Sequence, residues 1–196
     1  ATLQFNSVIV VNEANQRSKL VLCTEMITST IDYNTYTETY TSDVEGQIAS
    51  AMMYVTNEDL PVMYVMSGHG EIALTDTQKS LITKNNVDLV DFDALTENSV
   101  PEDCDILMIN YPSYDFTAEQ VEVVKNYMAN GGKVLMSLDY MAANFPNLNA
   151  LLNYYGVEMV QGIVYETDSN RYAQTLPYCL IPMMADHAIT SEIQGV

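Results

Sequence analysis

The residues best suited to chemistry stand in one run, Ser67-Gly68-His69-Gly70-Glu71. A hydroxyl, an imidazole and a carboxylate this close suit three jobs: nucleophilic catalysis, metal ligation or recognition of a polar partner. The two glycines free the backbone for a sharp turn or a close approach. A serine hydrolase would use Ser67 as nucleophile and His69 as base, but the elbow of that chemistry carries glycines two positions on either side of the serine. Here those positions hold Val65 and His69. A separation of two residues is also poor geometry for a nucleophile–base hydrogen bond. The plainer alternative is a tight strand-to-helix turn whose His and Glu bond backbone groups.

Other reactive residues fit their chemistries less well. Cys23, Cys104 and Cys179 are odd in number and widely spaced, so neither a disulfide framework nor a Cys-x-x-Cys site is indicated. Cys104 lies in Glu102-Asp103-Cys104-Asp105, where flanking carboxylates disfavour a thiolate. A metal would recruit His69, Glu71, Asp139 and the second histidine, His187, but the cysteine pair of a zinc deaminase and the loop of a calcium hand are both missing. There is no phosphate loop and no G-x-G-x-x-G fingerprint, so no nucleotide or other cofactor is implied.

Something must position the Ser67–Glu71 run. Pro61 to Met66 reads as a buried strand leading into it, and Thr75 with Gln78 forms a capping box opening a helix to about Asn85. Val87–Val90 reads as a short strand, and Asp91 to Val100 as a polar connection. Ile106–Ile109 is a central strand closed by Tyr111-Pro112. Thr117 and Gln120 cap a helix that stops at Gly131-Gly132, Lys133–Leu138 is a further strand ending at Asp139, and Leu148–Tyr155 is helical. Such alternation predicts a three-layer α/β fold with a mostly parallel sheet and helices on both faces. Its strand ends would gather Ser67, Gly68, His69, Gly70, Glu71, Tyr111 and Asp139 at one edge, where open α/β sheets bind ligands.

Ahead of this core, Val8–Val11 and Lys19–Leu22 predict a hairpin of extra strands. Thr24 to Thr41 shows no apolar face and is expected to be a surface loop, although its alternation from Tyr33 to Tyr40 also fits an edge strand. Its tyrosines suit either contact with a partner or a solvated loop. Ser42 and Glu45 form another capping box, before a helix from about Asp43 to Val55. Val157–Val164 and Pro177–Ile181 read as further strands. The methionines at 52, 53, 63, 66, 108 and 136 fall in these elements and read as core filling.

The chain has 196 residues, 26 acidic and 7 basic, for a net charge of −19. With 48% apolar residues it can bury a core as one domain, 1–196. The charge excludes sequence-independent nucleic-acid binding and makes an anionic membrane surface a poor partner. No apolar run approaches the roughly 18 residues of a membrane span. Ala1 to Asn6 lacks the basic and apolar regions of a signal peptide, and the end at Gln194-Gly195-Val196 suits a piece of something larger.

Several stretches resemble one family in order. Ile48-Ala49-Ser50-Ala51 with Tyr54-Val55-Thr56 precedes Leu60-Pro61-Val62-Met63-Tyr64-Val65-Met66-Ser67-Gly68-His69-Gly70-Glu71. Then come Pro101 to Ile109 (an acidic turn and a buried strand), Phe116 to Gly132 (a long helix ending in Asn-Gly-Gly), and Pro146 to Leu152 with Tyr155-Gly156-Val157 and Gly162-Ile163-Val164. Together these resemble the auxiliary components of ABC-2-type transport systems, including gliding-motility-associated proteins, over roughly Val8 to His187. The resemblance implies a flavodoxin-like or class I glutamine amidotransferase-like domain on the extracytoplasmic side of the cell membrane, excised from a longer protein whose anchors lie outside this chain. It implies an ABC permease and ATPase as partners, a small-molecule or glycan ligand, and a non-enzymatic binding or scaffolding role for the Ser67–Glu71 crevice. The alternative is a hydrolase or amidotransferase relative with its activity in that crevice.

Overall fold

A computed structural model describes residues 6–32, 35–183 and 185–188. The chain opens with an antiparallel hairpin, β1 (Val8–Asn12) and β2 (Arg17–Val21), in the expected place. A single turn, α1 (Cys23–Met26), leads to a second antiparallel pair, β3 (Ile27–Asp32) and β4 (Thr37–Ser42). The surface loop expected over Thr24 to Thr41 is therefore corrected to a short helix and a hairpin. Every β4 residue is exposed, so these strands have the Thr and Tyr content that favours extended backbone but no apolar face to reveal them. Tyr33 and Asn34 lie outside the described residues, as do the two chain ends discussed above.

Next comes α2 (Val44–Thr56). The Ser42–Glu45 capping box does not form, because Ser42 is the last residue of β4 and pairs with Ile27. Asp43 takes the N-cap position instead, and its carboxylate is engaged by Lys84 and Gln47. Val21, Met26 and Ala51 form a small core between this helix and the first hairpin. Asn86 latches the unit to the main sheet: its side-chain amide donates to the Ser50 carbonyl at 2.9 Å and its oxygen accepts from Lys19 at 2.7 Å.

The main sheet holds β5 (Val62–Ser67), β6 (Asp88–Asp93), β7 (Ile106–Asn110) and β8 (Lys133–Ser137), all parallel, in the order β6-β5-β7-β8. Between β5 and β6 lies α3 (Asp76–Lys84), and between β7 and β8 lies α4 (Ala118–Ala129). Both helices start with the expected capping boxes, in which Thr75 and Thr117 accept from the backbone N–H of Gln78 and Gln120. The two crossovers run in opposite directions along the sheet, so crossovers of one hand put the two helices on opposite faces. Side-chain alternation shows it. Tyr64, Met66, Leu107 and Ile109 pack with Val121, Val124 and Leu148 on one face, while Met63 and Met108 pack with Leu74 and Ile82 on the other.

The first face carries most of the core, with thirteen buried residues against three on the α3 face. Each large apolar side chain fully buried contributes about 1.5–3 kcal/mol, so this difference decides where the stability resides. A 3-10 helix (Tyr140–Asn144) and α5 (Pro146–Tyr154) complete that layer. The strands expected over Val157–Val164 and Pro177–Ile181 are not formed. That region bonds to itself in turns instead, as in Glu166 N–H to the Pro177 carbonyl, with one bridge between Tyr172 and Leu180.

Candidate functional site

Strand β5 is the point from which the chain first builds the sheet one way, to β6, and then the other way, to β7. Such a switch point opens a crevice at the carboxyl ends of the strands. Pairing of β5 with β7 ends at Val65 and Met108, and the Ser67–Glu71 run enters the gap. Here the gap is closed. Ile72 N–H donates to the Asn110 carbonyl at 2.9 Å, and the Asn110 side chain donates back to the Ile72 carbonyl.

His69 is the closing piece. Its side chain is only 4% exposed and turns inward, stacked on Phe116 with ring centroids 4.2 Å apart. Nδ1 lies 3.2 Å from Glu71 Oε1, while Glu71 Oε2 accepts the His69 backbone N–H at 2.7 Å. Nε2 lies 2.9 Å from Gln120 Oε1. The orientation of Gln120 is fixed by two other bonds: its oxygen accepts from Thr117 N–H, and its amide donates to the Ala94 carbonyl. Both ring nitrogens thus face acceptors, an arrangement that favours the doubly protonated imidazolium beside the Glu71 carboxylate.

The electrostatics agree. Burial works against the charged ring, but hydrogen bonds to Glu71 and then Gln120 outweigh it, with smaller help from the Glu71 and Asp115 charges, and the His69 pKa stands above 6.5. Burial likewise opposes the Glu71 anion, and hydrogen bonds from His69 and from backbone N–H groups overcome it, holding the carboxyl below its ordinary 4.5.

The two glycines have a different task. Gly68, at φ +118°, lies beneath the Leu95 side chain, which a Cβ there would meet at 2.9 Å. Gly70, at φ +70°, lies beneath the Tyr114 ring, at 3.0 Å from such a Cβ. Leu95 is 67% exposed and Tyr114 68%, so the glycines seat two apolar side chains that reach solvent. Backbone bonds hold the arrangement, since the His69 carbonyl accepts from both Ser113 and Tyr114 N–H. Tyr111, at φ +52°, anchors through its N–H to the Ser137 carbonyl and is itself exposed. Asp139 accepts from Met141 N–H at 2.9 Å and so starts the 3-10 helix, whose Tyr140 and Met141 are exposed.

Thus the structure brings Ser67, Gly68, His69, Gly70 and Glu71 into one closed loop, with Tyr111 and Asp139 on the adjoining strand ends. His69 and Glu71 bond each other, and Asp139 caps a helix. Ser67 Oγ donates to the Phe92 carbonyl at 3.2 Å, and Cys104 is buried, its thiol pushed up first by that burial. Among the described residues no group of three or more His, Cys, Asp or Glu is placed to hold a metal ion, and His187 lies in the C-terminal segment. A cleft of about 340 Å³ opens on the α3 face of the loop, where Ser67 and Glu71 line it together with Val65, Leu74, Lys79 and Asp91. A larger groove of about 490 Å³ lies at the opposite end of the strands, around Val100, Tyr127 and Lys133, away from the loop. The exposed side chains Leu95, Tyr114, Tyr140 and Met141 had no signal of their own in the sequence; only their place just after a strand end marks them.

Fold and edge define a mixed α/β domain with a four-stranded parallel sheet and a closed switch point. A family model described as "ABC-type uncharacterized transport system" matches residues 60–196, and the chain belongs to that family, as an auxiliary component of an ABC transport system. The match begins just before β5, so the sheet and its carboxyl edge lie inside it, and the Ile48–Thr56 stretch lies outside it. Neither a curated protein nor a solved structure matches the chain. Membership associates the chain with a membrane transport system, and among the described residues no helix is long and apolar enough to cross a membrane.

Proposed function

We propose that this chain is a non-enzymatic binding or scaffolding domain of its transport system, with a flavodoxin-like or amidotransferase-like architecture and a position on the extracytoplasmic side of the membrane. It is held there by anchors outside this chain, in a system that also includes an ATPase subunit, and meets the permease, or a small-molecule or glycan ligand, through the edge built on Ser67–Glu71. One observation carries this reading. The polar groups of the loop are engaged with one another, whereas the side chains it presents to solvent are Leu95, Tyr111 and Tyr114, of the kind that dominate recognition surfaces. Catalysis through Ser67 is disfavoured by the same bonds, because the only nearby imidazole has both nitrogens engaged elsewhere.

The test is co-purification of the transport subunits with the full-length protein from the cells that make it. Changing Tyr111 and Tyr114 together to Ser should lower recovery of those subunits at least tenfold while the circular dichroism spectrum stays unchanged. Undiminished recovery would place recognition elsewhere. Turnover of ester or amide probes that disappears on Ser67→Ala would establish the hydrolase alternative.

A further inference from the structure

The edge has a chemical character that identifies its partner more closely. Each of three strand ends pairs a fixed carboxylate with an exposed apolar side chain. After β6, Asp93 accepts Leu95 N–H at 3.0 Å and Leu95 projects outward. After β7, Tyr114 precedes Asp115, whose oxygens accept Asn147 and Leu148 N–H at 3.0 Å and so cap α5. After β8, Asp139 caps the 3-10 helix and Tyr140 and Met141 follow it. These carboxylates are held by backbone donors, so they cannot swing away, and among the described residues none of the three has an ion-pair partner. The segments that build the edge, 67–75, 94–98, 111–117 and 138–145, contain no Lys or Arg. His69 is buried and paired with Glu71. What faces outward is an aromatic and aliphatic surface, with the half-buried carboxylates of Asp93, Asp115 and Asp139 beside it and no lysine or arginine in its own segments.

We infer that the carboxyl edge of the sheet docks a basic protein segment, one in which arginine or lysine alternates with apolar residues. This rests on the binding role proposed above and names the chemistry of the partner. Arginine suits the site twice, since its guanidinium pairs with a fixed carboxylate and also lies flat on a tyrosine ring. Apolar residues between the cations would cover Leu95 and Met141. A wholly apolar partner would leave the carboxylates desolvated and unpaired, and an acidic one would be repelled.

Two measurements test the inference. The first uses a short synthetic peptide of alternating arginine and leucine, and the same peptide with neutral citrulline for arginine, at about 0.15 M salt to screen long-range attraction. Amide shifts should concentrate at Leu95, Tyr114, Tyr140 and Met141. The citrulline peptide should bind at least tenfold more weakly, as should the arginine peptide to the Tyr114→Ser/Tyr140→Ser variant. Equal binding of the two peptides, or shifts spread over the whole acidic surface and unchanged in the variant, would overturn the inference. The second places a photo-crosslinking residue at position 114 of the full-length protein in its native membrane, with position 36 as an exposed control. Crosslinks from 114 onto an Arg- or Lys-bearing segment of a transport subunit support it. Crosslinks onto a transport subunit at a segment without basic residues would overturn the partner chemistry and keep the binding role. Crosslinks to lipid alone, or none beyond the control, would overturn both.

Discussion

Replacing His69 by Ala perturbs the edge from beneath, and the structure sets the size of the effect. The substitution removes the imidazole ring, its bond to Gln120 and its stack on Phe116, and leaves the Glu71 carboxylate enclosed with backbone N–H bonds alone, that from residue 69 at 2.7 Å. Breaking a buried pair by deleting one partner costs about 3–5 kcal/mol, and the surviving N–H bonds argue for the lower end. About 3 kcal/mol corresponds to roughly 6–12 °C in Tm for a chain of this size. The pH dependence carries a definite sign. The raised pKa of His69 gives stability that is fully present below 6.5 and lost as pH climbs through the folded value. The lowered pKa of Glu71 gives stability that is present above 4.5 and lost as pH falls through its folded value. The pair therefore contributes most between 4.5 and 6.5. Urea unfolding of wild type and variant at about pH 5.5 and about pH 9 should show a penalty that shrinks at the higher pH. Changing Glu71 to Gln in the same chain should recover part of the loss, because the stranded charge is then gone. A penalty below about 1 kcal/mol at the lower pH, or one that is equal at both, would refute the buried ion pair.

Three further outcomes follow from other parts of the molecule. Gly131→Ala and Gly70→Ala each force a left-handed alanine and should each lose about 1–2 kcal/mol in urea melts, but only Gly70→Ala, where the new Cβ meets Tyr114, should also weaken capture of the transport subunits. Asn86→Ala should cost about 2–3 kcal/mol by removing its bonds to the Ser50 carbonyl and to Lys19 and by placing alanine at φ +58°; Asn86→Gly, free of the backbone term, should cost less by the same unfolding assay. Raising sodium chloride from about 0.01 to 0.15 M should raise Tm, because the described ion pairs employ few of the 26 acidic side chains and the rest repel; equal melting temperatures would contradict this.

The parallel core was legible because each of its parts carries a local signal. The Thr75–Gln78 and Thr117–Gln120 boxes satisfy helix-end donors within four residues, and the buried strands are short apolar runs, so sequence-local chemistry marks both. Where packing or pairing decides, the signal fails. Ser42 and Glu45 have the capping pattern, but β4 takes Ser42 for its ladder with Ile27, and a long-range pairing outranks a local cap. Strand β4 is exposed along its whole length and so has no apolar alternation to read, while Val157–Val164 has strand composition but joins neither open edge of the sheet, β6 or β8.

The carboxyl edge of the sheet divides along the same line. Two glycines around a histidine, just past a central strand, mark this loop in the sequence, yet the reason for the glycines lies in residues distant in sequence: Leu95 sits over Gly68 and Tyr114 over Gly70. A side chain at either position would push aside the group that the loop presents. His69 and Glu71 looked like the reactive pair because their types are reactive, and in the structure they are enclosed and bonded to each other. Rigidity is what such a pair supplies. It ties the β5 loop to the start of α4 through Gln120, and the carbonyl of the same histidine holds Tyr114 in place. A change at His69 therefore acts on recognition through the position of Tyr114, so the variant should lose partner binding in proportion to the mobility of that ring. Loss of binding with the Tyr114 ring unmoved, as read by its NMR line shapes, would mean instead that the histidine meets the partner directly.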